Sequence, residues 1–202
     1  ACFICEAEGT ERNDIDSAAL TCTKCNPTLR LDQKKVTKII EHSSTHILFD
    51  PTIAREDEPC GFCLRPAPQC LIYLVRGRGA HSALRVDVIR SRGCPAIGKF
   101  SYKKASQSTA GSPCSNVPLK CPRCPASDPA IWRYNIPAHF VKEHASADAQ
   151  EYLGLSTLSL SETDGMRIIW NNRRKVASAQ RAKRTKKVNE MKISECHSTR
   201  LA

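Results

Sequence analysis

Aromatic side chains are scarce in this chain, 5% of 202 residues, and no run of about 18 apolar residues occurs in it. The first shortage argues against one large conventional core. The second argues against a membrane-spanning helix, and no apolar signal stretch is read in the chain either. The usual catalytic signatures are missing as well: there is no HExxH, no GxSxG and no glycine-rich phosphate loop. Pro59-Cys60-Gly61-Phe62-Cys63 meets half of the zinc-deaminase pattern, but no HxE exists to supply its general acid/base. The expectation is a protein that is not an enzyme and has no small-molecule substrate and no membrane partner.

Cysteine, by contrast, is abundant: 12 residues, eight of them in the pairs Cys2/Cys5, Cys22/Cys25, Cys60/Cys63 and Cys121/Cys124. A secreted disulfide framework would use cysteine this heavily. The lack of an apolar signal stretch in this sequence and the histidines at ligand spacing favour metal in a reducing compartment instead. Cys121-x2-Cys124, a spacer of fourteen residues, and His139-x4-His144 offer two thiolates and two imidazoles, the tetrahedral N/S shell that zinc prefers. Cys22-x2-Cys25, sixteen residues, and His42-x3-His46 repeat the pattern. Cys60, Cys63, Cys94 and Cys114 are the preferred third set, with Cys70 as a buried core thiol; Cys70 or His81 could replace one of the late cysteines. Cys2, Cys5, Cys22 and Cys25 also fit a four-cysteine ribbon, which would orphan His42 and His46. The finger scheme is preferred and leaves Cys2 and Cys5 as a knuckle near Ala1, read as a cut edge. About three structural Zn2+ ions are expected.

These sets predict a fold of small α+β zinc-stabilised modules. Residues 1–19 form the knuckle segment, 20–49 a ββα-like C2H2-type finger, and 50–118 a four-cysteine module with a basic β-hairpin. Residues 119–147 form a second such finger, and 148–202 a linker with a basic helix or tail. In the first finger Asp32 is the expected N-cap, with Val36, Ile39 and Ile40 facing inward. Residues 70–75 and 84–89 read as the two hairpin strands. Residues 101–118 read as linker. In the second finger Pro137 forces the helix to start late, from Asn135 as N-cap, so the turn that reads bases in standard fingers should be missing. Trp132 and Tyr134 then sit before the helix, one of them filling the small finger core. Ser161 or Thr163 should cap the last helix, over 164–192.

Net charge is +11 and unevenly placed. Residues 76–104 carry 8 basic and 1 acidic side chains, and residues 166–202 carry 11 and 2. These two blocks hold the positive excess, so Arg76, Arg78, Arg85 and Arg90 are the expected phosphate contacts of the hairpin. Arg173, Arg174, Lys175, Arg181, Lys183, Arg184, Lys186 and Lys187 are those of the tail. The tail clusters also read as a bipartite nuclear-import address.

Cys22, Cys25, His42, His46 and Cys121, Cys124, His139, His144 resemble the ligands of C2H2-type zinc fingers. The runs THILFDP, EPCGFCLRPAPQC, SPCSNVPLKCPRCP and IWRYNIPAHF are similar to those of a little-understood family of C2H2-domain proteins from mushroom-forming fungi, often found near mobile elements. The resemblance covers roughly residues 20 to 175 and implies zinc binding and a DNA-related role in the nucleus. The expected function is that of a zinc-binding, DNA-binding nuclear protein, transcription-regulator-like or transposon-derived, with other nuclear proteins as further partners. The alternative is a protein-interaction adaptor whose basic tail serves only for import.

Overall fold

The computed structural model describes residues 19–77, 82–146, 148 and 150–189. Cys2, Cys5, Arg78, His81, Cys196 and the side chain of Lys187 lie outside them. The described chain is a small α+β fold of short antiparallel strand pairs and helices. No described helix is long and apolar enough to cross a membrane.

Strands β1 (Ala19–Cys22) and β2 (Leu29–Asp32) pair with Cys22 opposite Leu29, which leaves Cys25 on the connecting turn. Helix α1 (Val36–Phe49) follows. It starts later than the capping reading required. The Asp32 carboxylate accepts from the Lys34 amide at 2.9 Å, and its carbonyl accepts from the Lys35 amide at 2.9 Å. Asp32 therefore closes a turn ahead of the helix, since a short carboxylate reaches its own backbone two residues on as readily as a helix amide.

The middle hairpin pairs β3 (Leu74–Arg76) with β4 (Leu84–Val86). Strand β4 is shorter than the apolar alternation suggests because the Asp87 carboxylate accepts from the amides of Ile89 and Arg90 and turns the chain. One helical turn, α2 (Tyr102–Ala105), interrupts the expected linker.

Strands β5 (Pro118–Leu119) and β6 (Ile131–Trp132) lead through a 3-10 turn into α3 (Ile136–Glu143). Pro137 sits in the first helical turn, where its missing N–H costs nothing. Asn135 precedes the helix, but its side chain does not cap it; Nδ2 donates to the Pro59 carbonyl at 2.8 Å. Helix α4 (Gln150–Ser156) lies on α3 with the Tyr152 and Phe140 rings 4.5 Å apart. Helix α5 (Leu160–Asn189) runs thirty residues. The Ser159 hydroxyl, rather than Ser161 or Thr163, accepts from the Glu162 amide at its start.

The segments expected as separate modules share one core. Val36, Ile39, Ile40 and Ile47 of α1 meet Phe62, Ile72, Val86 and Cys94 of the middle segment, Trp132 and Tyr134, and Met166 of α5. Trp132 stacks edge-on against Phe62 with ring centroids 4.9 Å apart, so it fills this common core and not a private finger core. The second ββα unit keeps its own cluster of Ile136 and Phe140 beside Cys121.

Polar side chains also tie the shared core together. Residues 113–118 lack an apolar period, yet they are buried. Asn116 donates to the Ser44 hydroxyl at 2.8 Å and accepts from the Tyr134 amide at 3.1 Å. The buried Glu162 carboxylate accepts from the Ser115 amide at 2.9 Å and from the Tyr134 hydroxyl. These bonds satisfy groups whose burial would otherwise cost about 1–3 kcal/mol each.

Candidate metal centres

Three clusters of ligand atoms stand out, each with its four atoms within 4.8 Å of one another. The first is Cys22, Cys25, His42 and His46. The cysteines come from the end of β1 and the turn after it, and the histidines from successive turns of one face of α1. The third is Cys121, Cys124, His139 and His144, built the same way around β5 and α3, with His144 just past the helix end.

The second cluster is Cys60, Cys63, Cys70 and Cys94. Cys114 is not in it. The preferred sequence assignment had these two cysteines the wrong way round. Cys114 lies in the shared core, with its sulfur 3.8 Å from the Tyr134 hydroxyl, and burial pushes its thiol up to about 11. Cys70 is brought to the Cys60–Cys63 knuckle by the turn ahead of Leu71, whose backbone pairs with Arg92 two residues before Cys94. One antiparallel bridge thus delivers both late ligands.

The spacing inside each cluster suits a tetrahedral ion. Ideal zinc bonds give S···N edges of about 3.5 Å and S···S edges of about 3.8 Å. The sulfur–Nε2 separations are 3.4 to 3.6 Å in the first site. They are 3.3 to 3.4 Å in the third. Cys60 and Cys94 lie 3.8 Å apart, and Cys63 and Cys70 3.4 Å. The thiols within a site also compete for protons. A hydrogen bond from Cys25 holds Cys22 down at about 2, while Cys25 itself is pushed up by that same bond and by burial. Hydrogen bonding from Cys60 and Cys94 likewise holds Cys63 at about 2. Crowded sulfurs that stabilise a thiolate among themselves are a ready seat for a cation.

Two carboxylates stand behind the histidines of the outer sites, and the ligand spacing alone does not single out either. His46 turns Nε2 to the sulfurs and Nδ1 to Asp50 Oδ2 at 2.7 Å. His139 turns Nε2 to Cys124 and Nδ1 to Glu58 at 3.3 Å. A carboxylate on the far nitrogen fixes the tautomer and aims the ring. Burial favours the neutral acid at both positions, but bonds to the histidines, with Thr52 on Asp50 and Lys142 on Glu58, hold both carboxyls below their ordinary values. The sequence signal was available: an acid four residues after His46, and an acid beside the Cys60 knuckle.

The proposed phosphate contacts do not form one surface. Arg76 and Arg85 are exposed, but Arg85 pairs across the hairpin with Val75 and Arg76 with Leu84, so they lie on opposite faces. Arg90 stacks over the Tyr73 ring at 4.5 Å. Arg173 lies over the Trp170 ring at 3.2 Å, half-buried. Arg174, Lys175, Arg181, Lys183, Arg184 and Lys186 are exposed along α5.

Helix α1 is placed unlike a groove-reading helix. From Ile39 to Ile47 every residue is buried, including Glu41, Ser43, Ser44 and Thr45. Ser43 donates to the Phe62 carbonyl at 2.9 Å, and α5 also packs on the helix, with Trp170 edge-on to the His46 ring at 5.1 Å. No protein-family model, curated protein sequence or solved structure matches the chain.

Proposed function

We propose that this chain is a nucleic-acid-binding protein held together by three structural zinc ions, with helix α5 and not the finger helices as its binding element. Cys22, Cys25, His42 and His46 would hold one ion, Cys60, Cys63, Cys70 and Cys94 a second, and Cys121, Cys124, His139 and His144 a third. Zinc there supplies folding free energy, because its ligands are scattered in the unfolded chain and converge only in the fold. Four protein ligands per site leave no open position for a reacting water, which supports a structural and not a catalytic role.

One observation carries the reading: α1 is buried without a break from Ile39 to Ile47 and exposes only Thr37 and Lys38 near its start, while α5 turns Arg174, Lys175, Arg181, Lys183, Arg184 and Lys186 to solvent. A helix buried over most of its length cannot lie along a major groove. A long basic helix can neutralise phosphates along a backbone, binding by counterion release with little base readout. DNA is the proposed target and the nucleus the proposed compartment. The likeness to the fungal C2H2 proteins adds a transcriptional or transposon-derived role to that proposal.

Anisotropy with a labelled DNA duplex, on zinc-loaded protein between about 50 and 200 mM salt, tests it. A log–log affinity slope that is steep and negative supports α5 as a phosphate binder. No retention at the lowest salt overturns it and favours the adaptor reading, for which the almost fully exposed Ile89, at 97%, would be the natural contact.

A further inference from the structure

Helix α5 meets the first ββα unit along a face that can be followed residue by residue. Met166 is buried in the shared core, Trp170 meets His46, and Ala177, 1% exposed, lies against Cys22, Cys25 and Leu29. One turn later Gln180 locks onto the β2 backbone twice. The Arg30 amide donates to Oε1 at 3.0 Å, and Nε2 donates to the Arg30 carbonyl at 3.1 Å. A glutamine side chain thus pairs with the strand much as another strand would.

At helical spacing the same face continues as Arg181 and Arg184. If α5 merely went on packing, apolar residues would be expected at these positions. Two arginines instead overhang the turn that carries Asn26, Pro27 and Thr28. The helix and the turn enclose a notch of about 580 Å³ lined by Asn26, Thr28, Arg30, Arg181, Arg184 and Thr185. Among the described residues no carboxylate lines it. Beside Pro27 and the aliphatic stems, the polar groups of the lining are guanidinium, hydroxyl and amide, which include donors suited to phosphate oxygens.

We propose that this notch is the seat of a nucleic-acid backbone phosphate, the principal ionic contact of the binding helix. The proposal rests on the nucleic-acid reading above and narrows it to one place. It also makes binding depend on the first metal centre. One wall of the notch is the turn that follows Cys25, and Ala177, one helical turn before Arg181, is buried in one cluster with Cys22, Cys25 and Leu29.

The test compares three full-length, zinc-loaded variants for affinity to a labelled duplex of about 20 base pairs across a salt series. Arg181→Gln with Arg184→Gln removes two notch charges; Arg174→Gln with Lys175→Gln removes two exposed charges elsewhere on α5. Gln180→Ala keeps every charge and frees the helix from β2. Zinc content and circular dichroism establish that each variant is folded. The notch pair should lower affinity by at least tenfold at about 100 mM salt and flatten the log–log slope by about 2, and the outer pair should do much less. Gln180→Ala should weaken binding with little change in slope.

Equal losses from the two charge pairs would overturn the notch while leaving α5 as a binding helix. No DNA binding by any form, wild type included, would overturn the underlying reading. Inorganic phosphate separates the remaining source. Were millimolar phosphate to shift the amide resonances of Thr28 and Arg181 while DNA shifted neither, the notch would hold a free anion and the nucleic-acid assignment would fail.

Discussion

Asp50 Oδ2 lies 2.7 Å from His46 Nδ1, and the other nitrogen of that ring faces Cys22 at 3.5 Å and Cys25 at 3.4 Å. The imidazole is held from behind by a carboxylate that Thr52 holds in turn, through its amide at 3.0 Å and its hydroxyl at 2.8 Å. Both contacts point to a prearranged ligand. Asp50→Ala should lower metal affinity at the first site by about 10–100-fold, and Asp50→Asn, which keeps an acceptor, should lower it less. Competition with a chromophoric chelator measures this directly. The looser Glu58–His139 pair, at 3.3 Å, predicts a smaller loss at the third site from Glu58→Ala.

The two histidine-containing sites owe their legibility to local geometry. A CxxC turn and two histidines four or five residues apart, on a helix or at its end, bring ligands together by local geometry. The four-cysteine site has no such shortcut. Whether Cys70 or Cys114 joins Cys60 and Cys63 is decided by one backbone bridge, Leu71 to Arg92, which spacing does not encode. Stoichiometry discriminates between them. Cys70→Ser should reduce bound zinc from about three equivalents to about two, whereas Cys114→Ser should leave it at about three, by elemental analysis of dialysed protein.

The burial of α1 was equally invisible beforehand. Glu41, Ser43, Ser44 and Thr45 look like a solvent face, but the groups that satisfy three of them come from distant stretches or the helix itself. Ser43 bonds to Phe62, Ser44 to Asn116, and Thr45 donates to the His42 carbonyl at 2.7 Å. Polar residues hide when their partners are buried with them, and pattern reading counts only apolar residues. The same blindness hides the role of Ala177 and Gln180, which lie in the short Val-Ala-Ser-Ala-Gln stretch between the basic clusters of the tail.

Glu162 is the clearest case of such a polar lock. It is 3% exposed and accepts from the Ser115 amide, the Ser115 hydroxyl and the Tyr134 hydroxyl. It joins the start of α5 to the segment ahead of the third site. Glu162→Ala would strand these donors in the core, and the expected loss is about 2–4 kcal/mol of stability at fixed zinc, read by denaturant unfolding. Glu162→Gln keeps an oxygen in place and should recover part of it. A solvent-exposed control on the same helix, Asp164→Ala, should change little.

Ala177 tests whether α5 is a docked element or a projecting tail. The residue is 1% exposed and packs in one buried cluster with Cys22, Cys25 and Leu29. Ala177→Leu adds three carbons where no space exists, and overpacking of this kind costs about 1–3 kcal/mol. The cheapest relief is for the outer half of α5 to swing away, breaking the paired bonds between Gln180 and Arg30. The Arg30 amide should then exchange with deuterium at least tenfold faster, while amides in α3, which packs in the separate cluster beside Cys121, keep their rates. Unchanged protection at Arg30 would mean that α5 is not held by this contact, and the helix would have to be regarded as a free basic arm.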